Sequence, residues 1–147
     1  MNPSRISADA FMDILRKGMP SAIAMDFEVV TLDEGQVTLR MRTDAKDLRP
    51  GGTVSGPVLF AVADLALYAA VMSVTGPVAL AVTTDATVHF LRRASAGELL
   101  VHARILKQGK VLIVGEATII GERQPEAPVA HFVMTYSVPP PERVQGA

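Results

Sequence analysis

An acid stands alone in the most apolar stretch of this 147-residue chain. The stretch SGPVLFAVADLALYAAVMSV runs from Ser55 to Val74, and between Pro57 and Val74 only Asp64 and Ser73 are plainly polar. A lone carboxylate in apolar surroundings is costly to keep without use, so Asp64 is a candidate general base. Pro57 suits the first position of a helix, where its missing N–H costs nothing. A helix start offers unpaired N–H groups and a positive dipole end, suited to a developing oxyanion. A base and an oxyanion site suit attack on an activated carbonyl. The alternative for Asp64 is a structural carboxylate satisfied by a hydroxyl or a backbone group.

Other chemistry-bearing side chains give weaker signals. His89, His102 and His131 all fall in candidate strands, where a half-exposed sheet position is the commoner role. No acid–His spacing suggests a metal. Arg92, Arg93, Lys107 and Lys110 suit either phosphate groups or solvated strand ends. Without cysteine the chain has no disulfide, thiolate metal site or cysteine nucleophile. Its formal net charge is -1, so no basic surplus points to nucleic acid. The composition is compatible with the cytoplasm, which is the expected location. MNPSRISADAFMDILRKG lacks the apolar core of a secretory signal. The stretch around Asp64 is slightly short for a membrane span. A carboxylate at the centre of such a span costs roughly 2.5–3.5 kcal/mol. A helix buried in the fold, with no membrane insertion, is the preferred reading.

The elements that must position these groups follow from periodicity and turn signals. Ser7 is a plausible N-cap with Asp9 in the first turn, and Phe11, Ile14 and Leu15 share one helical face. Gly18 and then Pro20 end this N-terminal helix. Phe27 to Leu32 reads as a strand, Asp33–Gly35 as a turn, and Val37, Leu39 and Met41 as the buried side of a second strand. Asp44 to Ser55 is a polar, glycine-rich loop. The Pro57 helix runs to about Thr75, before Gly76–Pro77. Strands follow at Ala79–Leu91, Leu99–Leu106, Val111–Ile120 and Val129–Val138, with a turn at Lys107–Lys110. Residues 139–147 read as a loose tail. The whole chain, 1–147, is expected to form one α+β domain, with a curved antiparallel sheet wrapped around the long helix. The free face and edges of the sheet would need a second copy of the chain.

Two segments carry a family resemblance. RPGGTVSGPVLFAVADLALYAA and TTDATVHFLRRASAGELLVHARILKQGK, within roughly Phe27 to Val138, resemble the hotdog-fold acyl-CoA thioesterases of the phenylacetate-degradation type. Ser55-Gly56-Pro57 stands where that family has His-Gly-Gly, and Ala63-Asp64 matches its Ala-Asp. HFLRRA resembles its Asn-Phe-Leu-Arg-Pro-Ala. The resemblance implies Asp64 as general base or nucleophile, the Gly56 N–H as carbonyl donor, and Thr83 as a hydroxyl that orients water or the acid. It also implies an acyl-CoA or aryl-acyl-CoA substrate with no separate cofactor, coenzyme A entering as part of the substrate. A homodimer at least, and a homotetramer as the full assembly, are expected. Phe60 and Tyr68 would line the acyl site, with Arg49, Ser55 and Arg92 as further substrate contacts.

Spacing adds a constraint. Eight residues separate Gly56 from Asp64, about 12 Å along a helix. Donor and acid can meet on one carbonyl only if they come from different chains. Strand alternation adds a tension, because Thr83 strictly shares the face of Asp85, Thr87 and His89. Only a bulge brings it onto the face of Val88 and Phe90. Arg49 replaces the family's Asn and Ser55 its His. These departures make a non-catalytic acyl-CoA or lipid-binding protein the alternative function. A hydratase or dehydratase ranks last, because Asp44 to Ser55 contains no His.

Overall fold

A computed structural model describes residues 2–140 of the chain. Helix α1 (Ala8–Gly18) starts where Ser7 accepts the Ala10 N–H, and it buries Phe11 and Leu15. It does not end the N-terminal helical segment. Met19 breaks the helix, and Pro20 opens a further turn, α2 (Pro20–Ile23). A proline begins a helix as readily as it ends one, since its fixed φ suits the first turn.

Strands β1 (Phe27–Asp33) and β2 (Gln36–Arg42) form the expected hairpin. Gly35 in its turn has φ +82°, a conformation that side-chain-bearing residues rarely adopt. Val37, Leu39 and Met41 are buried, as their alternation predicts. The loop that follows is more ordered than its composition suggests. A 3-10 turn (Ala45–Asp47) leads into two short paired strands, β3 (Leu48–Arg49) and β4 (Thr53–Val54).

The long helix is α3 (Gly56–Thr75), stopped by Gly76 at φ +86°. By length and composition it could cross a membrane, yet most of its side chains are buried in the fold. Its second polar residue, Ser73, is fully buried and satisfied. Ser73 Oγ donates to Ala70 O at 2.5 Å and accepts the Gly35 N–H at 2.9 Å. That pair ties the β1–β2 turn to the helix.

Four further strands complete the sheet: β5 (Val82–Phe90), β6 (Glu98–Gln108), β7 (Leu112–Gly121) and β8 (Ala130–Ser137). The six long strands are all antiparallel, in the order β1-β2-β6-β7-β8-β5. Strand β5 starts three residues later than expected, after an irregular segment through Ala79–Ala81. The inner face of the sheet packs on α3 most closely at Gly115, where an added Cβ would meet Leu67 at 2.6 Å. A long helix wrapped by a six-stranded antiparallel sheet, with a short N-terminal helix, is the hotdog arrangement. Of the expected tail, Pro139 and Pro140 carry no regular structure, and residues 141–147 lie outside the described residues.

Candidate active site

Asp64 sits on α3 with its carboxylate facing the paired ends of β5 and β8. Thr83 Oγ1 donates to Asp64 Oδ1 at 2.6 Å. The Tyr136 hydroxyl lies 2.7 Å from the backbone oxygen of Asp64 and also hydrogen-bonds Oδ1. Both donors reach one carboxylate oxygen. Oδ2 has no hydrogen-bond partner among the described residues, and it is not sealed from solvent. The carboxylate is thus held by one oxygen and open at the other. Tyr136 is itself buried. Burial first, then the neighbouring charge of Asp64, pushes its hydroxyl well above the ordinary tyrosine range, so it stays a proton donor.

A bulge brings Thr83 there. Register along β5–β8 runs Thr83↔Tyr136 and then Asp85↔Thr135, leaving Thr84 as the extra residue. This shift puts Thr83 on the inner face with Ala86, Val88 and Phe90, so uninterrupted alternation from Asp85 is overturned. Tyr136 was not singled out by sequence. Its place on the inner face follows from alternation with Phe132 and Met134, all buried. Its partnership with an acid 72 positions away does not.

A cavity of about 600 Å³ opens beside Asp64 and Thr83. Its floor is α3, through Ala61, Leu65 and Tyr68. Its outer wall is the N-terminal helical segment, through Ile14, Met19, Ala22 and Met25. Leu80 and Val82 stand at its side, both exposed. Among the described residues, Asp64 is the only charged one in the lining. Tyr68 lines it and donates its hydroxyl to Ala79 O at 2.6 Å. Phe60 does not. Helical side chains lean toward the N-terminus, so Phe60 turns away from Asp64 onto Phe132, ring centres 6.0 Å apart.

The start of α3 is built by the preceding loop. Buried Asp47 accepts the Asp44 N–H at 2.9 Å, and its carbonyl accepts the Ser55 N–H at 2.9 Å. Ser55 caps the helix, with its Oγ taking the Val58 N–H at 3.4 Å and its carbonyl the Leu59 N–H at 3.1 Å. Pro57 has no N–H. Among the described residues the Gly56 N–H is left without an acceptor. The Phe90 ring lies over this turn, and a Cβ on Gly56 would meet its Cζ at 3.4 Å. Arg49 is exposed on β3. Arg92 is exposed too, but its guanidinium donates to Pro128 O at 2.8 Å. Gly56, Ser55, Arg49 and Arg92 are absent from the lining of the Asp64 cavity. Within one chain the structure therefore unites Asp64, Thr83 and Tyr68 and sets the helix start apart.

The sequence profile of the thioesterase superfamily matches residues 51–127. The chain resembles the crystal structure of a Silicibacter protein assigned as a thioesterase, with TM-score 0.82 and 42% identity over 93% of this chain and 94% of that one. It resembles the PaaI protein of the Escherichia coli phenylacetic acid degradation operon, with TM-score 0.78 and 28% identity over 90% of this chain and 93% of that one. A Streptococcus mutans protein solved bound to acetyl-CoA shares the fold, with TM-score 0.70 and 22% identity over 78% of this chain and 89% of that one. No curated protein matches the chain in sequence.

Proposed function

The chain belongs to the thioesterase superfamily, and on that premise we propose that it hydrolyses an acyl-coenzyme A or aryl-acyl-coenzyme A thioester to coenzyme A and a free carboxylate. The observation that carries this reading is the asymmetry of Asp64. One oxygen is pinned by two hydroxyls while the other has no partner among the described residues, and Asp64 lines a mostly apolar cavity. A base needs that arrangement: a fixed orientation and one free lone-pair face. Oδ2 takes a proton from water as the water oxygen attacks the thioester carbon, and the carbonyl electrons move onto oxygen. Collapse of that intermediate expels the sulfur, which receives the proton from Asp64. If Oδ2 attacks directly, the C–S bond breaks and coenzyme A leaves as thiolate while a mixed anhydride forms. Water then opens the anhydride, freeing Asp64 and the product acid, and the proton released goes to the thiolate. Single-turnover hydrolysis in ¹⁸O-water separates the two routes, because only the direct one labels Asp64. A thioester is already activated, so neither route calls for a metal or cofactor.

The oxyanion receives the unpaired Gly56 N–H of a second copy. Gly56 and Asp64 of one chain lie about 12 Å apart along α3. The edge strand β5 has a free side among the described residues. It carries Thr83 toward one end, beside Asp64, and Phe90 at the other, over Gly56. Pairing β5 with its own copy in antiparallel fashion sets the Thr83 end of each strand beside the partner strand's Phe90 end. Exposed Leu80, Val82, Phe90 and Leu91 on and beside this edge support such pairing. The assembly is a homodimer or a homotetramer made from it, acting in the cytoplasm. Arg49 and Arg92 lie on the surface, available to coenzyme A phosphates.

The test is thiol release from a panel of acyl-CoA substrates by wild type and Asp64→Asn. Release by wild type that collapses in the variant supports the reading. Equal release by both removes Asp64 from the mechanism. Tight binding without turnover in wild type establishes the non-catalytic alternative.

A further inference from the structure

We infer that the cavity between α3 and the N-terminal helices is the acyl subsite, that α1 and α2 form its selecting wall, and that it takes uncharged, apolar acyl groups. This rests on the thioesterase reading and extends it to substrate class. The cavity is continuous with Asp64 and Thr83, so a thioester carbonyl at Oδ2 leads its acyl tail directly into it.

Its polar groups are already committed. Thr83 and Tyr136 donate to Asp64, and Tyr68 donates to Ala79 O. The exceptions among the side chains are Asp64 Oδ2, which the thioester carbonyl would occupy, and Ser21, exposed on the short α2. A polar or charged acyl terminus would lose its water without gaining a partner. A carboxylated tail would also meet the charge of Asp64, with no Lys or Arg among the described residues of the lining to offset it. An apolar tail instead packs on Leu65, Ala22 and the ring of Tyr68, all in the lining.

The wall is fixed at one end and adaptable at the other. Phe11 and Leu15 anchor α1 in the core, and the Phe11 ring stands edge-on to Tyr68 with centres 6.0 Å apart. Beyond the break at Met19 the four-residue α2 buries only Ala22. Met19 and Met25, unbranched and flexible, face the cavity there and can follow acyl groups of different shape. Across from them Ala61 stands three positions before Asp64 on α3, exposed and lining the cavity. Its small side chain leaves the space open, which makes Ala61 a specificity-determining position.

The test uses non-hydrolysable S-alkyl-CoA thioethers from methyl to decyl, with ω-carboxylated counterparts, titrated by calorimetry into the full-length wild type, Ala61→Phe and Met25→Ala. Wild-type affinity should rise by up to about fourfold per methylene until the cavity is filled. Each ω-carboxylated ligand should bind at least about tenfold more weakly than its alkyl counterpart. Ala61→Phe should stop the rise at a shorter chain, and Met25→Ala should extend it. Affinity independent of chain length in wild type, or the same chain-length profile in all three proteins, overturns the inference. Thiol release is scored separately. Length-dependent binding without turnover keeps the subsite and ends the hydrolase reading. Asp64-dependent turnover with flat binding does the reverse. Circular dichroism of each variant keeps misfolding from passing as lost selectivity.

Discussion

The Gly56 and Asp64 ends of α3 differ in how complete they are. Around Asp64, one chain supplies everything: two hydroxyl donors, a floor from α3 and an outer wall from the N-terminal helices. Around Gly56, the loop through Asp47 and Ser55 satisfies its own groups but leaves one N–H unpaired, beneath a Phe90 ring that is itself 55% exposed. The acid end is fixed by side chains from distant strands. The amide end is fixed by neighbours in sequence and presents backbone. On the proposed mechanism these two ends are halves of one reaction centre, and each half takes the other from a second copy.

The largest effect that can break this comparison is at the acid. Asp64→Asn keeps an acceptor for Thr83 and Tyr136 but removes the base, so kcat should fall about 10²–10⁴-fold with little change in melting temperature. Steady-state thiol release and thermal unfolding read the two quantities. Next comes the amide end. Gly56→Pro removes the free N–H at the first helical position, where proline fits, and should lower kcat about 10²–10³-fold. Mixing Asp64→Asn with Gly56→Pro chains should then restore about a quarter of wild-type activity, because half the dimers become mixed and each has one intact site. No recovery on mixing, after exchange is verified, would place both groups in one chain.

Smaller effects sharpen the picture of the acid end. Tyr136→Phe should cost about 1–3 kcal/mol of stability, measured by urea unfolding, because it strips a buried donor from a charged acceptor. Its pH dependence has a definite sign. The folded pKa of Tyr136 is raised by burial and by Asp64, so the native state holds that proton more tightly than the unfolded chain. The contribution is whole below about pH 10, the ordinary tyrosine value, and is lost as pH rises further. Wild-type stability should therefore decline above that pH, and Tyr136→Phe should flatten part of the decline. Thr83→Val should be mildest, about 0.5–1.5 kcal/mol, since one hydroxyl still reaches Oδ1.

Much of the scaffold was legible because it is periodic. Val37, Leu39 and Met41 announce their strand, and the apolar run between Pro57 and Gly76 announces α3. Asp64 was legible because charge is conspicuous where water is scarce. What escaped depends on positions that pattern does not record. Pro20 reads as a stop, yet it starts the turn that walls the cavity. Thr83 reads as outward-facing until the bulge is known. Tyr136 looks like any aromatic on an inner face, and only the β5–β8 register reveals that its hydroxyl ends at Asp64. Phe60 was expected to line the acyl site, but within one chain its ring packs on Phe132 and it is absent from the lining of the Asp64 cavity.

The irregularity at Thr83 and Thr84 has one more consequence. Both residues carry a hydroxyl, and Thr84 at present spends its own on Thr135 O at 3.3 Å. Were the insertion to slip by a single place, Thr84 would come opposite Tyr136 and Thr83 would become the surplus residue. The carboxylate would still find an alcohol in front of it. Such a slip would exchange one donor for its twin, and only valine at both places would leave this strand without a hydroxyl for the acid in either register.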